Sequence, residues 1–509
     1  MTTYSKKIIP FESLADNAQH HRGEGRKIVL CHGTFDLLHI GHIRHLERAR
    51  QEGDVLFVTI TADQYVNKGP GRPVFSSELR AEHIAALVAV DYVAINNANT
   101  SVNVIRQLQP DVYIKGGDYK VNEEDVTGNI YLETEAVEAC GGKVVYTEDI
   151  TFSSSKLLNE YFDVFPPETK NYLNNFKRKY SADDVVGAVK TLKKLNVLVV
   201  GDAIVDEYHY TIPLGQTGKY NVLSTKYKDK ERFAGGSIAV ANHTAGIVGE
   251  VTLFTGLGDV HSHEEFIRSK LKENINDKFF YFNNAPTLVK RRYVDEDSCK
   301  LFEVYFYEDK PVHDELNKAA CLWLQENVAN FDVVLVPDFG NGFITDEMVS
   351  VICDKARFLA VNTQLNSGNR GHHVIHRYPR ADFISLNEPE LRIAAHDRHG
   401  ELEDIAEQVG EALSARYVAV TRGKLGVEMF DRDQGHHYQV PALSTHVVDR
   451  IGAGDAFLSI AGAVLGGGMG ARLAAFVGCT AAALDVQIVC NREPVEPVSM
   501  FKYISTLLK

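Results

Sequence analysis

The chain has 509 residues, of which 44% are hydrophobic and 24% are charged, and its formal net charge is −14. This is longer than a chain that folds around one hydrophobic core, so we predict two or three domains. The net negative charge excludes a large basic surface for nucleic acid. Seven cysteines occur without a C-x-x-C pair, which favours reduced core thiols over a disulfide framework or a zinc site.

The amino-terminal segment, up to about Gly25, is polar and predicts no clear element. It lacks the long apolar run of a secretion signal, and together with the reduced thiols this predicts a cytoplasmic protein. From Lys27 to Glu148, short apolar runs alternate with helical stretches. The predicted strands are KIVLC, VLFVTI, DYVAI, DVYIK and KVVYTE. Such alternation is typical of a parallel sheet with helices on both faces.

The first of these strands leads into HGTFDLLHIGHIRHL, from His32 to Leu46. A glycine turn is followed by helical spacing from Gly41 onward. His39 and His42 are therefore predicted at a helix amino terminus beside the carboxyl end of a parallel strand, where phosphate groups bind. Two imidazoles there can donate hydrogen bonds to a triphosphate and to the charge that develops on it during transfer. The candidate nucleotide-binding residues of this turn are Gly33, Thr34, Phe35, Asp36 and Gly41.

A pair of surface or metal-binding histidines is the alternative interpretation of this motif. A metal site needs a third and a fourth ligand, and Arg44 and Leu46, which follow the histidines, are not ligands. Because the H-x-G-H pattern comes after a strand and after G-T-F-D, the nucleotide site is the favoured interpretation.

The stretch resembles the nucleotidyltransferase family of the glycerol-3-phosphate and phosphocholine cytidylyltransferases. The resemblance continues through NKGPGRPVFSSELRAEHIAAL, PDVYIKGGDY and DITFSSSKLL. It implies a catalytic role for Lys68 and nucleotide or phosphate contacts by Arg72, Gly116, Gly117, Asp118, Ser153, Ser154 and Ser155. The K-G-G-D-Y version is more similar to the heptose adenylyltransferases, and Tyr146 stands where the cytidylyltransferases carry an arginine. The nucleotidyl donor is therefore ATP or CTP, with ATP favoured.

A change of composition marks the end of this first half. The proline pair Pro166-Pro167 is followed by charged, helical sequence. We therefore predict a nucleotidyltransferase domain over residues 1–163, a helical connector over 164–195 and a second domain over 196–509.

The second domain begins with a strand at Asn196, in NVLVVGDAIVDEYHY. The alternating segments LSTKYKDKERFAGG and TLVKRRYVDEDSCKLFEVYFY predict antiparallel hairpins with one solvated face. Strand–helix alternation returns from FDVVLVPDFGNG onward. The apolar stretch from Ala456 to Val486 is interrupted by glycines and an arginine, so it predicts two buried helices and no membrane span.

The segment VVDRIGAGDAFLSIAGAVL carries the second candidate site. Gly452, Ala453 and Gly454 let the backbone approach an anion, and the following helix directs its amino terminus at the same place. The Asp455 carboxylate there can take the proton from an attacking hydroxyl while N–H groups stabilise the transferred phosphoryl group. A plain glycine turn with Asp455 as helix cap is the alternative. The motifs GDAIVDEYHY, AGGSIAVAN, NEPE and VTRGKLGVEMF argue against it.

From about Asn196 to Lys509 the sequence resembles the ribokinase family of sugar kinases, with these motifs in the family's order. The resemblance implies that Asp455 is the base, that residues 452–454 form an anion hole, and that the hairpin strands form a lid used for dimerisation. It implies nucleotide or phosphate contacts by Asn387, Thr421, Gly423 and Gly426, and Mg²⁺ at Glu390. The substrate-binding residues it implies are Asp202, Asp206, Gly235, Gly236, Lys290 and Arg450.

Two departures from that family concern the acceptor. Ala239 occupies the place of an asparagine that touches sugar hydroxyls in the family, and Ile451, preceded by Arg450, occupies the place of a usual small residue. A missing polar partner and an added arginine favour an acceptor that carries a phosphate or a carboxylate.

A sugar kinase joined to a nucleotidyltransferase resembles the bifunctional heptose 7-phosphate kinase/heptose 1-phosphate adenylyltransferase family, here with the domain order reversed. The fold class this implies is α/β, with a Rossmann-like H-x-G-H domain and a ribokinase-like domain with a small β-sheet lid. The implied partners are a small-molecule sugar, nucleoside triphosphates and a second copy of the chain, without nucleic acid or membrane. An enzyme with one catalytic half and one regulatory nucleotide-binding half remains the alternative.

Overall fold

The computed structural model describes residues 3–66, 72–116, 129–147, 165–297, 299–310, 312–369 and 372–509. The chain divides into two compact units, Met1–Pro166 with Phe501–Lys509, and Pro167–Met500. The domain limits at residues 163 and 195 stay a prediction. Six predicted site residues lie outside the described ranges: Lys68, Gly117, Asp118, Ser153, Ser154 and Ser155.

The first unit is built around one parallel sheet of five strands. In chain order its elements are α1 (Leu14–Gly23), β1 (Ile28–Gly33), α2 (Ile40–Gln51), β2 (Val55–Thr61), α3 (Ser77–Ala85), β3 (Tyr92–Asn96), α4 (Val102–Leu108), β4 (Val112–Gly116), α5 (Asn129–Ala139) and β5 (Lys143–Thr147). The strand order is β3-β2-β1-β4-β5. The order turns around between β1 and β4, and in open α/β sheets ligands bind in the crevice at that point.

The apolar runs predicted as strands correspond to these five strands. β1 and β2 bury nearly every residue because helices cover both faces of the sheet, as continuous apolar runs require. The prediction missed α1, which buries Leu14, Ala18 and His21. These three buried positions give no clear helical pattern of apolar residues in a segment that is otherwise polar.

The second unit starts with α6 (Pro167–Lys177) and α7 (Ala182–Lys190), which lie within the predicted connector. Phe176 of α6 stacks on Phe476 with ring centroids 4.1 Å apart. These helices therefore pack as part of the second unit.

The main sheet of the second unit has nine strands in the order β10-β9-β6-β13-β14-β15-β16-β17-β18. Its strands are β6 (Asn196–Val200), β9 (Glu250–Val260), β10 (Ile275–Pro286), β13 (Val333–Asp338), β14 (Leu359–Thr363), β15 (Phe383–Asn387), β16 (Tyr417–Thr421), β17 (Val427–Asp431) and β18 (His436–Val440). All pairs are parallel except β16 with β17 and β17 with β18.

The helices of this unit cover the two faces of the main sheet and connect its strands. They are α8 (Ser237–Ile247), α9 (Glu264–Lys270), α10 (Asp314–Asn327), α11 (Asp346–Lys355), α12 (Glu388–Ala394), α13 (Leu402–Ala412), α14 (Ala453–Gly466) and α15 (Ala471–Asp485). The last helix, α16 (Pro497–Leu507), contains the limit between the two units at Met500. The predicted pair of buried helices is confirmed as α14 and α15. Within the described residues, none of the helices has the length and hydropathy to cross a bilayer.

A second, four-stranded sheet forms the lid, in the order β12-β11-β7-β8. Its strands are β7 (Ala203–Gln216), β8 (Leu223–Gly236), β11 (Val289–Val294) and β12 (Lys300–Phe306). β7 with β8 and β11 with β12 are antiparallel hairpins, as predicted, but β11 joins β7 in parallel. The segment NVLVVGDAIVDEYHY forms two strands in two sheets, and the chain passes between them at Gly201, where a Cβ atom would lie 2.5 Å from the carbonyl oxygen of Pro337.

Candidate active sites in the two units

The two histidines of the H-x-G-H motif lie together at the start of α2. His39 caps the helix, and its Nδ1 accepts the backbone N–H of Gly41 at 3.1 Å. The rings of His39 and His42 stack with centroids 3.9 Å apart, and Phe35 meets His42 edge-on at 5.4 Å. Burial lowers the pKa of His39. The helix amino terminus and both imidazoles therefore lie at the carboxyl end of β1, where the sequence predicted them.

Asp36, on the turn that follows β1, and Arg72 form a buried ion pair. The Asp36 carboxylate accepts the backbone N–H groups of Val74 at 2.7 Å and Phe75 at 3.2 Å. The Arg72 guanidinium lies 3.6 Å from the same carboxylate, and burial lowers its pKa. These contacts fix the segment after residue 71 against the H-x-G-H turn. The predicted nucleotide contacts of both residues stay predictions.

Arg80 of α3 also shapes this site, and the sequence analysis missed it. Its side chain is fully buried, and it donates to the carbonyl oxygens of Thr34, Thr61 and Phe75 at 2.6–2.9 Å. It also pairs with Asp63 at 2.5 Å. One guanidinium thus holds the ends of β1 and β2 and the turn before α3. The local sequence gives no sign of this burial, because the carbonyl groups of Thr34 and Thr61 lie 46 and 19 residues away along the chain.

Gly116 ends β4, the neighbour of β1 in the sheet, and the residue before it carries a buried charge. The ammonium of Lys115 lies 2.7 Å from the Glu133 carboxylate of α5. Tyr113 donates its hydroxyl to the same carboxylate at 3.1 Å. The lysine of K-G-G-D-Y is therefore held at the carboxyl end of β4, next to Gly116.

In the second unit, residues 452–454 form the turn into α14. Gly452 has φ +101°, and a Cβ atom there would lie 2.5 Å from Asn491 Oδ1 and 2.7 Å from Asp485 Oδ2. Both the left-handed backbone and the close neighbours require glycine. Ala453 and Gly454 are the first two residues of the helix, so their N–H groups belong to the unpaired group at its amino terminus.

Asp455 is the third residue of α14 and is buried. Burial raises its pKa to about 7, Asp206 and Glu390 add to the shift, and the ammonium of Lys290 opposes it. A base with a pKa near neutrality suits proton abstraction at physiological pH. All three groups that influence this pKa are residues that the sequence also places in the kinase site.

Asp206 and Lys290 are buried on neighbouring strands of the lid, β7 and β11. Asp206 pairs with Arg292, and Gly235 on β8 leaves no room for a Cβ atom beside its carboxylate. Burial lowers the pKa of Lys290, although Asp206 counteracts this effect. The Lys290 ammonium lies over the ring of Tyr305 at 5.3 Å. The lid thus holds a buried carboxylate and a buried ammonium on two neighbouring strands.

Asp202 and Gly236 lie where β7 begins and β8 ends. Asp202 accepts the N–H groups of Asn341 at 3.4 Å and Phe343 at 3.3 Å. Burial raises its pKa to about 6, with a further contribution from Asp338. Asp202 therefore holds the loop after β13, and its predicted contact with the acceptor stays a prediction.

Asn387 and Glu390 form a capping box at the start of α12. The Asn387 side chain accepts the N–H of Glu390 at 2.8 Å, and the Glu390 carboxylate accepts those of Asn387 at 2.9 Å and Leu365 at 3.1 Å. Burial raises the pKa of Glu390 to about 7. Among the described residues, no group of three or more His, Cys, Asp and Glu could hold a metal alone. Mg²⁺ on substrate phosphates needs only one or two carboxylates, so Glu390 fits the predicted role.

A cavity of 880 Å³ lies between helix α12, with the residues that flank it, and the turn that follows β16. Its lining includes Asn387, Glu388, Arg392, Thr421, Arg422 and Gly423. Gly426 lies at the turn before β17, outside this lining. The cavity thus brings together the predicted residues of the N-E-P-E and T-R-G-K-L-G motifs. Arg422, which pairs with Glu388 at 2.8 Å, was not predicted.

The two residues that depart from the family pattern have different surroundings. The side chain of Arg450 is exposed, whereas Ile451 packs against lid residues. Ala239 is buried in α8. The structure thus leaves Arg450 accessible to a ligand and gives Ile451 a packing role.

The sequence matches two known families. Residues 30–159 match the cytidylyltransferase-like family, and residues 194–495 match the pfkB family of carbohydrate kinases. A protein named bifunctional protein HldE from Syntrophotalea carbinolica is 40% identical over 143 residues, 28% of either chain. The protein of the same name from Desulfatibacillum aliphaticivorans is 38% identical over 160 residues, 31% of either chain. The chain therefore spans less than a third of the length of these curated relatives.

One solved structure shows the fold of the larger part of the chain. Phosphofructokinase-2 from Escherichia coli, in complex with substrates and products, has a TM-score of 0.50 and 14% identity over 62% of this chain and 100% of its own. The predicted fold class, two α/β domains with a cytidylyltransferase-like one first, is confirmed. Because residues 194–495 are more than half of the sequence, the chain belongs to the pfkB family of carbohydrate kinases.

Proposed function

We propose that the chain is a bifunctional cytoplasmic enzyme that makes a nucleotide-activated sugar. The second unit phosphorylates the anomeric hydroxyl of a sugar or sugar phosphate with ATP. The first unit then transfers a nucleotidyl group to the sugar 1-phosphate and releases pyrophosphate. AMP is favoured over CMP as the transferred group, on the K-G-G-D-Y motif and Tyr146. The observation that carries the proposal is the placement of Asp455, buried with a pKa near 7 at the glycine turn into α14.

In the kinase reaction, Asp455 takes the proton of the acceptor hydroxyl as that oxygen attacks the γ-phosphorus of ATP. The N–H groups of residues 452–454 donate to the transferred phosphoryl group. Asp206 and Lys290 orient the acceptor beneath the lid. The donor nucleotide occupies the 880 Å³ cavity. Glu390, together with the nucleotide phosphates, would hold Mg²⁺, which would supply neutralisation of the negative charge on those phosphates.

In the nucleotidyl transfer, a sugar 1-phosphate oxygen attacks the α-phosphorus and pyrophosphate leaves. His39 and His42 donate to the phosphate oxygens at the start of α2, where the helix dipole also favours negative charge. Arg80 positions the turn that carries these groups. The contacts proposed for Lys68, Asp118 and the serines at 153–155 rest on the family resemblance alone.

The decisive experiment incubates the full chain with Mg²⁺, a panel of sugars and sugar phosphates, and ATP, CTP, GTP or UTP. We expect mass spectrometry to detect a sugar phosphate in every incubation that contains ATP. ATP alone should also yield an adenylyl sugar, whereas a nucleotide sugar that forms only when CTP is added would assign CMP as the transferred group. A sugar phosphate that is never converted, even when a sugar 1-phosphate is supplied, would favour the alternative of a regulatory first unit.

Arg450 is expected to determine the preference for an anionic acceptor. Its side chain is exposed and lies two residues before the anion hole in the chain, so a phosphate or carboxylate of the sugar can reach it. Arg450→Gln should raise KM for a sugar phosphate about tenfold with kcat unchanged, as expected for uniform binding. An uncharged sugar should show no change. Equal effects on charged and uncharged sugars would contradict this role.

The lid is the proposed dimer surface. Several large apolar side chains of β7, β8 and the turn between them are exposed, including Leu214 at 65%, Tyr220 at 75% and Tyr227 at 56%. Exposed apolar patches of this kind mark interaction sites. Leu214→Glu with Tyr227→Glu should convert a dimer to a monomer in size-exclusion chromatography with light scattering. Val88→Glu, at an apolar site in the first unit that is even more exposed, at 96%, is the control. A monomeric wild type would refute the proposal.

A further inference from the structure

One carboxylate, Asp449, joins the lid to the loop that precedes α14. Its Oδ2 accepts the hydroxyl of Tyr208 on β7 at 2.6 Å, and its Oδ1 accepts the ammonium of Lys300 on β12 at 3.0 Å. It also accepts the backbone N–H groups of Arg450 at 2.7 Å and Ile451 at 3.2 Å. Asp449 thus connects two lid strands to the residues that lead directly into the anion hole.

An apolar cluster joins the same two parts of the unit. Tyr208, Phe233 and Val294 of the lid are buried together with Cys490, and Ile451 packs against this cluster. Phe233 meets the ring of Tyr208 edge-on at 5.3 Å. Ile451 therefore occupies the place of a small residue because it fills a contact with the lid. The carboxylate and this side chain are two residues apart and hold the same loop.

The charge of Asp449 strengthens this connection. Its side chain is only 9% exposed. Burial opposes ionisation, but the hydrogen bonds from Tyr208 and Lys300 outweigh it and hold the pKa of Asp449 below its usual value. Hydrogen bonds to an ionised acceptor are about twice as strong as neutral ones. Charge-assisted hydrogen bonds of the largely buried Asp449 carboxylate therefore connect the lid to the loop.

We propose that Asp449 is a positioning residue of the kinase reaction that couples the lid over the acceptor to the alignment of the anion hole. The lid carries the acceptor residues Asp206 and Lys290, while the loop carries the N–H groups that meet the transferred phosphoryl group. Coupling makes phosphoryl transfer depend on a bound acceptor, so that water is a poor substitute for it. The inference rests on the proposed kinase function of this unit.

The first test compares Tyr208→Phe and Lys300→Met with Lys228→Met in the full chain. Lys228 is the matched control because it is also a lid lysine in an ion pair, with Glu296 at 3.4 Å, and is exposed. For Lys300→Met we expect kcat to fall about tenfold, the loss of one hydrogen bond to a charged group, with KM for ATP unchanged. The ratio of sugar phosphate formed to ATP consumed should also fall. An unchanged ratio in both lid variants would overturn the proposal.

The second test does not depend on activity. Amide hydrogen exchange is measured for residues 203–216 of the lid and 450–454 of the loop in wild type and Asp449→Asn. We expect both segments to exchange about tenfold faster in the variant, since one set of bonds holds both, with the main sheet unchanged. Faster exchange in the loop alone would refute the coupling. If the wild type phosphorylates no sugar, the proposed function fails, and exchange still decides whether lid and loop are coupled.

Discussion

Replacing Asp455 with asparagine is expected to lower sugar phosphorylation by about 10²–10⁴-fold, the usual contribution of a general base. The amide has nearly the same shape as the carboxylate but cannot accept the proton of the attacking hydroxyl. Nucleotidyl transfer from a supplied sugar 1-phosphate should be unchanged, because Asp455 belongs to the second unit. Both half-reactions are measured on one purified variant, so that a general loss of folding is distinguished from a loss of the base.

Asp404→Asn is a matched control for this substitution. Asp404 is the third residue of α13, as Asp455 is the third residue of α14, but its side chain faces solvent. The control should leave both activities at the wild-type level. Near-normal kinase turnover in Asp455→Asn would show that another group takes the proton.

The pH dependence of the kinase reaction tests the same assignment. Burial and the neighbouring Asp206 raise the pKa of Asp455 to about 7, and a base must be ionised to act. The kcat/KM value should therefore rise with pH through about 7. Glu390 also has a pKa raised to about 7 by burial. If the increase of kcat/KM with pH is lost in Asp455→Asn and persists in Asp404→Asn, the group that titrates is Asp455.

The sequence predicted those parts of the fold that depend on local pattern. β1 and β2 are continuous apolar runs because both of their faces are covered, and glycines followed by apolar helices located Gly452 and the start of α14. The split of one apolar segment into β6 and β7 was not predictable in this way. It depends on the close approach of Gly201 to Pro337, a residue far along the chain.

The supporting contacts of both sites were also missed, for the same reason. Arg80 binds three carbonyl oxygens from separate segments, and Asp449 binds lid residues more than a hundred positions away. Such partners leave no periodic pattern in the sequence. Motif reasoning therefore predicted candidate substrate-binding groups, whereas only the structure showed the long-range contacts of Arg80 and Asp449.

The second large effect is expected for His42→Ala, which should lower kcat of nucleotidyl transfer by about 10²–10³-fold, or roughly 2.7–4 kcal/mol. His42 is the third residue of α2 and stacks on the ring of His39 at 3.9 Å, so both imidazoles are fixed before the substrate arrives. Donors fixed in this way stabilise charge on the transferred phosphate without the cost of reorganisation. Their removal should therefore reduce kcat while KM for the nucleotide changes little.

His20→Ala is the control for this substitution, because His20 also lies on a helix of the first unit but is exposed and remote from the H-x-G-H turn in sequence. It should leave transfer at the wild-type level, and sugar phosphorylation should be unchanged in both variants. A rise in KM at constant kcat in His42→Ala would mean that the imidazole holds the nucleotide but does not stabilise the transition state. Unchanged transfer would mean that the start of α2 is not the active site.

Since the two stacked rings act as one unit, the fold-loss of kcat in the double variant His39→Ala/His42→Ala should be much smaller than the product of the fold-losses in the two single variants.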